Sequence, residues 1–151
     1  MINTITNNRI EAIIGRNELI KHSDSLSVGT ILISITDPDK DKLPVDIVSK
    51  FKGFLEVSFW DLEKPIGRFN IITSTQGSVI REFILNNKDS RFVIHCEAGI
   101  SRSAAVGMAV ECLLNHNGSR YKYALNGSDI TNHNRYSPNL VVFDFIVPKD
   151  K

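Results

Sequence analysis

The sequence predicts an α/β fold, a central and mostly parallel sheet flanked by helices, in one domain spanning residues 1–151. Three observations point there. β-branched runs alternate with stretches of helical periodicity along most of the chain. Arg91–Ser103 reads as a strand, a tight loop and a helix in immediate succession. A chain of 151 residues, 42% hydrophobic and 23% charged, can also bury a core of its own without disulfides or a structural metal.

Taken in order, the apolar start from Met1 to Ile5 is a strand candidate. Arg9–Ile14 follows Thr6 and Asn7, both good caps, and reads as a helix. Ile31-Leu32-Ile33-Ser34-Ile35 is β-branched and reads as a buried strand closed by the turn signal Asp37-Pro38-Asp39. Residues Val45 to Phe51 suit a short helix. Leu55, Val57 and Phe59 alternate with Glu56 and Ser58, the period of a strand. Val79, Ile80, Phe83 and Ile84 recur at helical spacing. Phe92-Val93-Ile94 is a short buried strand that ends at His95. Ala105, Met108, Ala109, Cys112 and Leu113 share one helix face, with Asn117-Gly118 as the stop. Leu140–Val147 fits a helix or a strand equally by pattern.

Formal charge is +1, which offers no general attraction to nucleic acid or to an anionic membrane. No apolar run approaches the roughly 20 residues that span a bilayer. The start of the chain lacks a basic region followed by a long apolar stretch, so no secretory signal is read. Cys96 and Cys112 lie 16 residues apart without Cys-x-x-Cys spacing. A reduced, cytoplasmic setting is expected. His22, His116 and His133 have no metal-ligand spacing.

The chemistry concentrates in Arg91–Ser103. A strand end, a five-residue loop and a helix start point successive backbone N–H groups of Glu97, Ala98, Gly99, Ile100 and Ser101 into one concavity. The helix N-terminus adds its positive end, so the loop makes a cup for a phosphate-sized anion. Gly99 permits backbone geometry that a side chain would obstruct. Arg102 can close the cup with a planar fork to two phosphate oxygens. Cys96 sits at its floor. Amides, a helix N-terminus and a cation lower a cysteine's pKa from about 8.5 to roughly 3.5–7.5, which makes a thiolate nucleophile for phosphorus. His95 is expected to hold the loop, and Ser103 to donate a hydrogen bond to the sulfur. Cys112, on the apolar helix face, is expected to be a core residue.

His95-Cys96, five residues and then Arg102-Ser103, with Ala98-Gly99 inside and Ser101 before the arginine, resembles the signature of the cysteine-dependent protein tyrosine phosphatases. The string looks most like that of the dual-specificity branch and of small bacterial and phage tyrosine phosphatases. The resemblance implies a phosphatase-like fold and a phosphomonoester hydrolase working through a cysteinyl-phosphate. The implied substrate is a phosphorylated protein or peptide carrying phosphotyrosine, with phosphoserine and phosphothreonine as further candidates. No cofactor or metal is implied. It also implies a general acid, an Asp on a mobile loop upstream of the cysteine. Asp61 stands 35 residues before Cys96, just after the strand pattern of residues 55–59, and Glu63 is the alternative. Trp60 beside it is a loop anchor or an apolar plug. Asp37, Asp39 and Asp41 look like turn chemistry, and Pro138-Asn139 like a structural helix start. Two other readings remain open: a phosphatase of RNA 5′ ends, nucleotides or inositol lipids, and a phosphate-binding module without activity.

Overall fold

The computed structural model describes residues 2–150, in which strands and helices alternate. The strands are β1 (Ile10–Gly15), β2 (Ile31–Thr36), β3 (Gly53–Ser58) and β4 (Phe92–Cys96). The helices are α1 (Arg16–Leu26), α2 (Val45–Val48), α3 (Ser74–Asn86), α4 (Arg102–Asn115), α5 (Arg120–Asn126) and α6 (Leu140–Ile146). The sheet order is β1-β4-β2-β3, and every pairing is parallel. This is the α/β class read from the sequence.

Alternation along the strands divides the core in two. Ile10, Ile13, Ile31, Ile33, Ile35 and Ile94 pack toward α3, α4 and α6. Ala12, Ile14, Leu32 and Val93 pack toward α1 and α2. A parallel sheet covered on both faces carries apolar residues at successive positions, and β2 and β4 are buried throughout. Helix α4 is buried from Arg102 to Leu113, so the loop before it is anchored to the core.

Two expectations fail near the N-terminus. Arg9–Ile14 is not a helix: Ile10–Gly15 forms β1, paired with β4 from Ile10↔Phe92 to Gly15↔Cys96. Ile10, Ile13 and Ile14 suit a helical stripe and a buried strand equally, and the slot beside β4 decides for the strand. Asn7 caps no helix. Its Oδ1 accepts from the N–H groups of Arg9 and Ile10, at 2.9 Å each, and turns the chain into β1. The strand expected over residues 1–5 is also absent. Met1 lies outside the described residues, and residues 2–7 follow the edge of β1 without a ladder. Thr4 Oγ1 instead accepts from Ile13 N–H at 2.8 Å and lies 3.1 Å from the Ile13 carbonyl, while Tyr136 Oη bonds Thr4, Ile5 and Ile13. These side-chain bonds cover an otherwise exposed sheet edge.

The other elements fall where the patterns placed them, and α1 and α5 are additions. Leu140–Ile146 resolves as helix α6, capped by Asn139 Oδ1, which accepts from Val141 and Val142 N–H. Thr73 and Gln76 form a capping box on α3. Among the described residues, no helix is long and apolar enough to cross a membrane.

Helices α3 and α6 touch backbone to backbone at Gly77. A Cβ there would stand 2.1 Å from the Phe145 carbonyl oxygen and 2.7 Å from its carbon. Arg81 Nη1 donates to the Ile146 carbonyl at 2.9 Å from one turn further along α3, and ties down the end of α6. In an isolated helix Gly77→Ala would gain about 1 kcal/mol. Here the methyl group must push two helices apart, so we expect a net loss of about 1–3 kcal/mol, measured by denaturant unfolding.

Candidate active site

All four strands end on the same edge of the sheet, the edge at which open parallel sheets place their ligand sites. The site is built from the residues just beyond the strand ends: Gly15 at the end of β1, Asp37 after β2, Phe59–Asp61 after β3 and the loop 97–101 after β4.

The loop is held at its base by close backbone packing. Gly99 has φ +72°, and a Cβ on it would lie 2.2 Å from Gly15 N and from Ile14 C. Both the left-handed backbone and the contact require glycine. The Glu97 carbonyl accepts from Arg16 N–H at 3.2 Å, which locks the loop to the junction of β1 and α1. Glu18 accepts from Gly15 N–H at 3.3 Å and pairs with Arg135, which holds the Glu18 carboxyl below its usual range.

Cys96 is 2% exposed, at the floor of the loop. Its Sγ accepts from Gly99 N–H at 3.3 Å and lies 3.1 Å from Ser103 Oγ. The backbone N–H groups of Ala98, Ile100 and Ser101 find no acceptor among the described residues. The first-turn amides of α4 have no partner within the helix. His95 lies behind the sulfur, fully buried. Its Nδ1 donates to the Cys96 carbonyl at 3.2 Å, and its Nε2 accepts from Ser34 Oγ at 2.6 Å. A carbonyl can only accept, so a proton sits on Nδ1, and burial favours the neutral ring. Burial pushes the His95 pKa down to about 4, helped by Arg16 and Arg102 and opposed by the Cys96 carbonyl.

Arg102, 4% exposed, opens α4. Its Nη1 donates to the Phe59 carbonyl at 2.7 Å and to Asp37 Oδ1 at 2.8 Å. Asp37 is therefore more than the turn residue expected: it is the counter-charge of the buried guanidinium. Arg102 Nε is buried without a partner. An anionic acceptor in the loop would satisfy it, so the residues fit a phosphoryl group.

Asp61 is exposed and sits against the loop from above. Its Oδ1 accepts from Ser101 Oγ and from Asn139 Nδ2, each at 2.9 Å. The hydrogen bonds reach Asp61 and not Glu63. Trp60 anchors this segment: its ring meets Phe69 edge-on at 4.9 Å, and Ile66 and Phe69 pair across a tight turn.

The residues read from the motif, His95, Cys96, Glu97 to Ser101, Arg102 and Ser103, thus lie together, and Asp61 joins them. Ser34, Asp37 and Asn139 were missed. None is near the motif in sequence: Asp37 reads as a turn residue, Asn139 as a helix start and Ser34 as part of a strand. Cys112 is a core residue, its thiol pushed up to about 11 by burial. Among the described residues no group of three His, Cys, Asp or Glu side chains could hold a metal ion.

No family model matches the sequence, and neither does any curated protein. Solved structures do. The chain is similar to the PTP-2 phosphatase of Cydia pomonella, at 17% identity over 95% of this chain and 86% of that one, TM-score 0.62. It is similar to Tk-PTP in its active form, at 16% identity over 93% and 92%, TM-score 0.60. It is also similar to PTPMT1 in complex with PI(5)P, at 15% identity over 96% and 91%, TM-score 0.56. The chain has the fold of the tyrosine phosphatases, the family its loop resembles.

The buried neutral His95 carries a pH signature. Its folded pKa lies below the ordinary 6.5, so the unfolded chain binds the extra proton and the fold loses stability as pH falls from 6.5 toward 4. The full shift corresponds to about 3 kcal/mol. We expect denaturant unfolding to show this fall in the wild type and a shallower one in His95→Asn.

Proposed function

We propose that the chain hydrolyses phosphomonoesters through a cysteinyl-phosphate, acting on phosphotyrosine in proteins, with phosphoserine and phosphothreonine as further candidates. One observation carries this reading. Cys96 Sγ accepts from Gly99 N–H and lies 3.1 Å from Ser103 Oγ, Arg102 at the end of the same loop keeps a buried Nε without a partner, and Asp61 accepts from Ser101 Oγ of that loop.

The chemistry follows from that arrangement. The phosphoryl oxygens accept from the loop amides and from the Arg102 fork, which places phosphorus above the sulfur. The Cys96 thiolate attacks phosphorus as the bond to the leaving oxygen breaks, and Asp61 gives that oxygen its proton. Asp61, now a carboxylate, takes a proton from a water that attacks the cysteinyl-phosphate. The sulfur leaves as a thiolate, and the Ser103 hydroxyl donates to it as its charge returns. His95 contributes no proton: a ring neutral down to about pH 4 holds the Cys96 carbonyl and so the direction of the loop.

The loop carries Glu97, Ala98 and Ile100, with no lysine to meet a second phosphate. That favours a singly phosphorylated side chain over a polyphosphorylated lipid or nucleotide.

The test is kinetic. Cys96→Ser should abolish turnover of aryl phosphates while keeping the fold. Arg102→Lys, which keeps charge but loses the fork, should lower both kcat and vanadate affinity. Asp61→Asn should slow phosphotyrosine hydrolysis by about 10²–10⁴-fold and nitrophenyl phosphate hydrolysis less, since nitrophenolate leaves without a proton. Faster wild-type turnover of a phosphoinositide or nucleotide than of a phosphotyrosine peptide would reassign the substrate.

A further inference from the structure

We propose that Asn139 is a positioning residue that aims the Asp61 carboxyl at the leaving-group oxygen; this rests on the reading of Asp61 as the general acid. Asn139 is 5% exposed and belongs to none of the elements that form the cup. Three parts of the molecule meet on it. Its Nδ2 donates to Asp61 Oδ1 at 2.9 Å and to the Leu62 carbonyl at 3.1 Å, which holds both the acid's side chain and the backbone next to it. Its backbone N–H donates to the Ser101 carbonyl at 3.2 Å, in the loop that carries the nucleophile. Its Oδ1 accepts from Val141 and Val142 N–H and so fixes the residue to α6.

One buried side chain therefore sets the spacing between acid and cup. The alternative tether is Ser101 Oγ alone, a single bond to an exposed segment. Both donors go to Oδ1, which leaves Oδ2 to carry the proton that passes to the leaving oxygen. Without the Nδ2 contacts, Asp61 keeps its chemistry and loses its aim. A misplacement of that kind costs rate at the step that needs the proton and leaves phosphate binding alone.

Capping and positioning can be separated, because they use different atoms of one amide. Asn139→Ser and Asn139→Asp both keep an oxygen that caps α6 and both lose the Nδ2 donor. The experiment measures kcat and KM on aryl phosphates graded from nitrophenyl to phenyl, and on a phosphotyrosine peptide. The proteins are wild type, each Asn139 variant, Asp61→Asn, and Asp61→Asn combined with Asn139→Ser. We expect each Asn139 variant to lose about tenfold to a hundredfold in kcat/KM on phenyl phosphate and phosphotyrosine, since kcat/KM ends at the departure of the leaving oxygen and excludes the water attack that all substrates share. Vanadate affinity should stay near wild type, and nitrophenyl phosphate, whose leaving oxygen needs no proton, should restore most of kcat/KM. In the Asp61→Asn background, Asn139→Ser should cost nothing more. Equal losses on every substrate, or losses that add to those of Asp61→Asn, would mean that Asn139 only holds the fold and would overturn the inference. If Asn139→Ser does not fold, Asn139→Asp decides by the same comparison. A wild type inactive on all aryl phosphates would overturn the proposed function, and this inference with it. An active wild type with additive variants overturns the role of Asn139 alone.

Discussion

Gly99 rests on the backbone of Ile14 and Gly15 at a distance where no side chain fits. That contact sets the height of the loop above the sheet, and the other site geometry depends on it. With Gly99 seated, its N–H reaches the Cys96 sulfur, and Glu97 turns its carbonyl to Arg16. The chain then enters α4 with Ser103 beside the sulfur and Arg102 directed back toward β2 and β3. Parallel pairing of Gly15 with Cys96 makes the contact unavoidable, because both strands end at the same level. A loop so supported needs no movement of its own to meet an anion, and pre-placed dipoles of this kind stabilise charge at little reorganisation cost.

Arg102 raises the opposite problem, since a guanidinium at 4% exposure has lost most of its water. Asp37 and the Phe59 carbonyl offset that loss on one side only. They use Nη1 and leave Nε buried without a partner. The arginine is thus oriented by the strand ends behind it while its Nε stays unpaired. Lysine has no second edge to divide in this way.

Most of the fold could be read because β2, β4 and α4 are buried on nearly every side, and such segments declare themselves by composition. Arg9–Ile14 could not, because three isoleucines spaced to suit either period give no local preference. What settles β1 is a partner strand far along the chain. Helix α1 is mostly polar, with Leu19, Ser23 and Leu26 as its buried residues, too sparse a stripe to stand out. The site divides in the same way. Cys96, Gly99, Arg102 and Ser103 occupy one continuous segment, so the cysteine, the turn and the fork are legible together. Ser34 acts through one hydrogen bond, Asp37 through its pair with Arg102, and Asn139 through several bonds, all made across the fold. A serine in a strand, an aspartate before a proline and an asparagine after one look ordinary in sequence, and only the parallel sheet brings them to the same edge.

The strand order has a consequence for how the chain acquires its shape. β4, the last strand in sequence, lies between β1 and β2, so the first two strands cannot complete the sheet by pairing with each other. A growing chain can zip β2 onto β3 early, while β1 waits through the whole intervening segment for its neighbour. Closing so long a loop is entropically slow, and topologies that depend on it fold later than those built from local contacts. The sulfur cup assembles only as β4 inserts, and Asn139 must then close over it from beyond α5. The Cys96 sulfur therefore lacks its surroundings until β4 and the segment that carries Asn139 have both been made.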